Sequence, residues 1–83
     1  MPYHEVRKGD NMISYEIFWK TLKRKDVSLY KLIHKHNVSP SIFTRMKRGE
    51  FLSLRKIVDL CEILDCDIAD IVRYIPDKTK KNP

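Results

Sequence analysis

Leu29-Tyr-Lys-Leu-Ile-His-Lys-His-Asn37, followed at once by Val38-Ser-Pro-Ser-Ile-Phe-Thr-Arg-Met-Lys-Arg-Gly49, decides the fold of this chain. In the first half, Leu29, Leu32 and Ile33 are spaced to share one face of a short helix. Ser28 precedes them as a cap, and His36-Asn37 ends the helix, because Asn tolerates the left-handed backbone that a tight turn requires. Val38 is apolar inside the turn and is expected to plug the core. Ser39-Pro40 then starts a second helix: a capping hydroxyl, followed by Pro at the first helical position, where its missing N–H costs nothing. That helix runs through Arg48 and stops at Gly49. Ile42, Phe43 and Met46 share its inner face, whereas Ser41, Thr44, Arg45 and Arg48 point elsewhere.

The flanking sequence keeps the same helical period. Ser14 is placed to cap a first helix, in which Tyr15, Phe18, Trp19 and Leu22 form one apolar stripe and Lys20, Lys23, Arg24 and Lys25 lie off it. Ser53 caps a fourth helix carrying Leu54, Ile57, Val58, Cys61 and Leu64. Asp67, paired with Asp70, caps a fifth carrying Ile68, Ile71, Val72 and Ile75, which Pro76 ends. The expected fold class is therefore all-α, a compact bundle of five short helices. Residues 1–12 read as a flexible leader, 13–77 as the single domain and 78–83 as a basic, disordered tail; 83 residues leave room for no more than one compact domain.

Charge says what such a bundle would meet. The formal net charge is +6, and residues 1–50 hold eleven Lys/Arg against five Asp/Glu. Residues 51–77 reverse the balance, with three against six. An anionic partner is expected on the first half. The physical case for nucleic acid rests on the second helix of the opening stretch. The major groove is about 12 Å wide and admits one helix, which needs an apolar back for docking and a short polar front for base edges. Arg45 suits a bidentate contact to guanine, and Ser41 and Thr44 can donate or accept hydrogen bonds.

Residues 13–77 resemble the lambda-repressor-like, or XRE/Cro-type, helix-turn-helix regulators. The Leu29–Gly49 stretch carries the likeness, supported by Ile13-Ser-Tyr, Leu64-Asp-Cys-Asp-Ile-Ala-Asp-Ile and Tyr74-Ile-Pro-Asp. The resemblance implies that helix 2 lies across the DNA backbone and helix 3 enters the major groove. It places base reading on Pro40, Ser41, Thr44 and Arg45. Phosphate contacts fall on the amides near Leu29 and Tyr30, on Lys47 and Arg48, and near Ser53; Ser39, chiefly a cap, joins this set. Two departures stand out: Pro40 offers only apolar contact, and Ile33 occupies a place where the family usually has Ala.

Other chemistries find no support in the sequence. His34 and His36, two apart on a helix, lie on nearly opposite faces and cannot chelate one metal. Cys61 and Cys66 form no metal-binding motif and read as small apolar thiols of a cytoplasmic protein. No Ser/His/Asp arrangement or glycine-rich phosphate loop is present, so neither an enzyme, a cofactor nor a small-molecule ligand is expected. No apolar run approaches the length of a membrane span. The expected function is sequence-specific binding of double-stranded DNA by a transcriptional regulator, a repressor by expectation. The alternative is an adaptor or antitoxin-like module that keeps the fold. A homodimer, through helix 5 and the segment after it, would match a palindromic site.

Overall fold

The structure, a computed structural model, describes residues 12–76. The expected leader, apart from Met12, and the expected basic tail lie outside the described residues. The elements run β1 (Ile13–Ser14), α1 (Glu16–Lys25), α2 (Leu29–His34), α3 (Pro40–Lys47), α4 (Leu54–Leu64), a 3₁₀ turn (Ile68–Asp70) and β2 (Arg73–Tyr74).

The described helices are short because left-handed residues interrupt them. Asp26, Asn37 and Asp65 have φ of 55°, 57° and 53°, and Gly49 has φ of 74°. Asp and Asn are among the few residues with a Cβ that visit this region readily. At the end of α1, Asp26 N–H donates to the Lys23 carbonyl at 3.1 Å and Val27 N–H to the Leu22 carbonyl at 2.9 Å. The end of α3 repeats that pair, with Gly49 N–H to Met46 at 3.0 Å and Glu50 N–H to Arg45 at 3.0 Å. Start signals are equally local. Ser28, Ser39 and Ser53 cap α2, α3 and α4 through their hydroxyls. Ser14 does not cap α1 as expected. Tyr15 takes the cap position, and Ser14 Oγ accepts the Glu16 N–H at 3.2 Å from one residue further back.

One core joins the elements. Tyr15, at the cap position of α1, and Phe18 and Leu22 of α1 meet Leu32 of α2, Val38 of the turn and Ile42, Phe43 and Met46 of α3, with Leu52 and the α4 residues Ile57, Leu60 and Leu64 closing the other side. Thr21 is the buried polar side chain, and its hydroxyl donates to the Asp70 carbonyl at 2.9 Å, tying α1 to the 3₁₀ turn.

Two further expectations need correction. The expected fifth helix is a single 3₁₀ turn, so the described residues hold four α-helices, and a small sheet makes the fold less than purely helical. The Asp67–Asp70 capping pair forms, but it caps only that turn. Beyond fully buried Ile71 the chain extends and β2 pairs antiparallel with β1, Ile13 opposite Tyr74 and Ser14 opposite Arg73. Ile75 N–H continues the ladder to the Met12 carbonyl at 2.8 Å. The β-branched and aromatic run from Ile71 to Ile75 suits a strand, and Pro76 disfavours a helical Ile75. The second correction is the rotation of α4. Ile57, Leu60 and Leu64 face inward, whereas Leu54 and Val58, expected in the core, are exposed.

Cys61 and Cys66 are free and half-buried. Burial pushes the Cys66 thiol up to about 11, with the negative charge of Cys61 and Asp70 adding to it; burial moves Cys61 in the same direction. Burial also raises the Tyr15 phenol above its ordinary 10.0. Raised values mean that the fold resists losing these protons. Their contribution is complete below the ordinary thiol value of 9.0 and is lost as pH climbs toward about 11. The urea midpoint should therefore fall across that interval, and the fall should be shallower in Cys66→Ala; equal slopes in the two proteins would refute the assignment.

Candidate nucleic-acid interface

The inner face of α3 fixes what its outer face presents. Ile42, Phe43 and Met46 are buried, and Phe43 stacks on Phe18 at 6.1 Å between ring centroids with 17° between planes. At 100° per residue, this rotation puts Thr44, Arg48 and Ser41 on the outward crest, with Arg45 on one flank and Lys47 on the other. Pro40, Ser41, Thr44 and Arg45 are all exposed. The structure thus brings the four base-reading candidates to one surface of one helix.

Their freedom differs. The Ser39 hydroxyl accepts the Ser41 N–H at 3.4 Å and lies 2.9 Å from the Ser41 hydroxyl, so the cap and the candidate reader Ser41 are joined by two hydrogen bonds. Thr44 is exposed at the crest. Arg45 is held from behind: its Nε donates to Glu50 Oε1 at 3.2 Å and its Nη2 to the Phe51 carbonyl at 3.2 Å. Glu50 was not among the sequence candidates. The signal for it was a lone acidic residue just past the glycine that ends a basic helix.

The phosphate candidates spread around this face. Lys47 places its Nζ 5.9 Å from the centre of the Trp19 ring, a cation–π distance that leans it toward α1. Arg48 Nη1 reaches Glu50 Oε2 at 3.4 Å. Leu29 and Tyr30 are the first two residues of α2, where backbone N–H groups have no intrahelical acceptor. Leu29 is half-buried, and Tyr30 is exposed with its ring 4.2 Å from that of His34. Ser53 is exposed and is occupied as the α4 cap, accepting Lys56 N–H at 3.3 Å.

The loop from Gly49 to Ser53 is secured to α1. The Tyr15 hydroxyl donates to the Glu50 carbonyl at 2.7 Å and accepts the Leu52 N–H at 3.2 Å. Phe51 and Leu54, on either side of buried Leu52, are 64% and 70% exposed, an apolar pair that the sequence pattern did not place on the surface.

Residues 18–77 match the Cro/C1-type HTH DNA-binding domain. The chain belongs to that family. It is also similar to the crystal structure of the transcriptional regulator VanUg, form II, at 30% sequence identity and a TM-score of 0.69, over 93% of this chain and 97% of that one. No curated protein matches the chain. The resemblance inferred from Leu29–Gly49 is thus upheld at the level of the family. Among the described residues, no helix is long and apolar enough to cross a membrane.

The loop anchor has a measurable consequence. Tyr15→Phe removes the donor to the Glu50 carbonyl and strands the buried Leu52 N–H. An unsatisfied buried group of this kind costs about 1–3 kcal/mol. Urea unfolding should register that loss, and an unchanged midpoint would show that the bridge contributes nothing.

Proposed function

We propose that this chain is a sequence-specific, double-stranded-DNA-binding transcriptional regulator of the cytoplasm, acting as a repressor, with α2 and α3 as its helix-turn-helix. The observation that carries the reading is the outer face of α3. Three buried residues pin the helix, and its exposed side is short and polar at Ser41 and Thr44, with Arg45, Lys47 and Arg48 around them. Such a face suits base edges in the major groove, with cations at the rim for phosphate.

In this reading Pro40, Ser41, Thr44 and Arg45 meet bases. Pro40 supplies apolar contact, as to a thymine methyl, and Arg45 pairs with a guanine. Lys47, Arg48, Ser39, Ser53 and the amides of Leu29 and Tyr30 lie along the phosphates. The net charge of +6 supports a strong, salt-sensitive backbone contribution. A palindromic site read by two copies fits the way such helices are used.

A second reading has one observation in its favour. Exposed Phe51 and Leu54 adjoin the reading face and would suit a protein partner, as in an adaptor or antitoxin-like module. Selection of bound duplexes from a random DNA pool separates the two. A regulator enriches a defined site with two-fold related halves, whereas an adaptor enriches nothing.

Binding should weaken steeply with salt. Roughly five phosphate contacts per subunit give a slope of about −4 to −5 for log K against log salt. A flat response would rule out backbone contact. On the selected site, Arg45→Ala should cost roughly 1–3 kcal/mol and relax the preference at one base pair per half-site. Its exposed ion pair with Glu50 adds only about 0.2–1 kcal/mol to folding, so melting should change little. Lys47→Ala should instead weaken selected and random duplexes about equally, and relaxed preference at a single base pair would overturn its phosphate role.

A further inference from the structure

Glu50 stands at the centre of a small lattice of bonds that the DNA-reading role of α3 does not by itself require. Its N–H donates to the Arg45 carbonyl at 3.0 Å, and its own carbonyl accepts the Tyr15 hydroxyl at 2.7 Å. The backbone of this residue is therefore held from both sides. Its carboxylate reaches two arginines, Arg45 Nε from Oε1 at 3.2 Å and Arg48 Nη1 from Oε2 at 3.4 Å. Both arginines are exposed, with side chains 44% and 67% accessible, so the carboxylate neutralises charge on the face that would meet DNA. A carboxylate there repels phosphate and lowers indiscriminate affinity.

The chemistry of the guanidinium says what this achieves. The group carries five N–H donors in a rigid plane. Nε and Nη2 present one edge, and that edge is taken by the Glu50 carboxylate and the Phe51 carbonyl. The other edge, formed by Nη1 and Nη2, has no acceptor among the described residues. Two parallel N–H groups on that edge match the O6 and N7 acceptors of guanine. A side chain with four rotatable bonds is otherwise free to sweep past several base pairs and phosphates, and holding its back edge removes that freedom before DNA arrives.

We propose that Glu50 is a specificity-determining positioning residue. It clamps Arg45 by one edge of its guanidinium so that the opposite edge reads a single guanine, while its second carboxylate oxygen offsets part of the charge of Arg48. The inference rests on the DNA-reading role of α3 proposed above. Glu50 itself touches no base and acts through Arg45.

The test uses the whole chain and its selected duplex, with Glu50→Ala and Glu50→Gln. Glu50→Gln keeps a carbonyl oxygen for Arg45 Nε while removing the charge, and melting curves establish that each variant is folded. Discrimination for guanine at the Arg45-dependent base pair should fall about tenfold in Glu50→Ala and be largely retained in Glu50→Gln. Affinity for random duplex should rise in both, because both lose the carboxylate. In the free protein, the Arg45 Nε–H proton should exchange slowly with water in wild type and rapidly in Glu50→Ala, a readout that involves no DNA. If wild type selects a site and Glu50→Ala keeps the same guanine preference, the role of Glu50 is overturned while the DNA-reading function stands. If wild type enriches no duplex at all, the reading function itself fails and the specificity role falls with it.

Discussion

Phe43 against Phe18 is the contact on which the remainder of the interface depends. Those two rings, nearly parallel at 6.1 Å, lie in the core between α1 and α3, with Trp19 meeting Phe18 edge-on at 4.9 Å. A helix of eight residues has little intrinsic stability and takes its orientation from packing. Once Phe43, Ile42 and Met46 are buried, the rotation of α3 is set to within the fit of those side chains, and with it the direction of every polar residue on the far side. Turning Arg45 inward would bury a guanidinium, which is costly without a buried partner. The polar face is thus a consequence of an apolar contact on the opposite side of the same helix.

The loop between α3 and α4 completes that geometry. Gly49 supplies a left-handed residue, the backbone turns, and Glu50 is returned to within reach of the helix it has just left. Tyr15 holds the turn from beneath with one hydroxyl that serves as both donor and acceptor. Within this segment the Leu52 side chain enters the core and that of Phe51 stays outside it. Nearby Leu54 is displayed by the rotation of α4.

How much could be read from the sequence depends on the range of the forces involved. The caps Ser28, Ser39 and Ser53, the Pro40 start, the turn at Asn37, the stop at Gly49 and the inner triad of α3 are set by residues within one helical turn, and they could be inferred before any packing was known. The rotation of α4 could not. Leu54, Ile57, Val58, Cys61 and Leu64 make a good apolar arc, but Leu60 lies inward and Leu54 outward because Leu52, Ile71 and the α1 side chains lie on one side of that arc. The fifth helix failed for a similar reason. The spacing of Ile68, Ile71, Val72 and Ile75 fits a helix, yet a strand partner at the far end of the domain, Ile13–Ser14, competes for the same backbone. Arg45 is a candidate by its place on the helix, whereas its tether to Glu50 and Phe51 depends on a turn whose direction only the folded chain defines.

That tether changes how the basic character of the chain should be weighed. Counting charges gives a strongly positive first half, yet two of its arginines already share a carboxylate at the candidate reading face. Exposed pairs of this kind add little to stability. In the proposed reading their effect falls on the geometry and effective charge of the surface, where a fixed donor edge and a reduced positive field both favour the right base over the nearest phosphate. In the same reading Lys47, leaning on Trp19, and the cations of α1 keep the attraction that brings a polyanion close. In the proposed reading, attraction and discrimination fall to different residues of one small domain, with the Trp19-facing flank of α3 supplying charge and the Glu50-facing flank supplying a fixed hydrogen-bonding pattern.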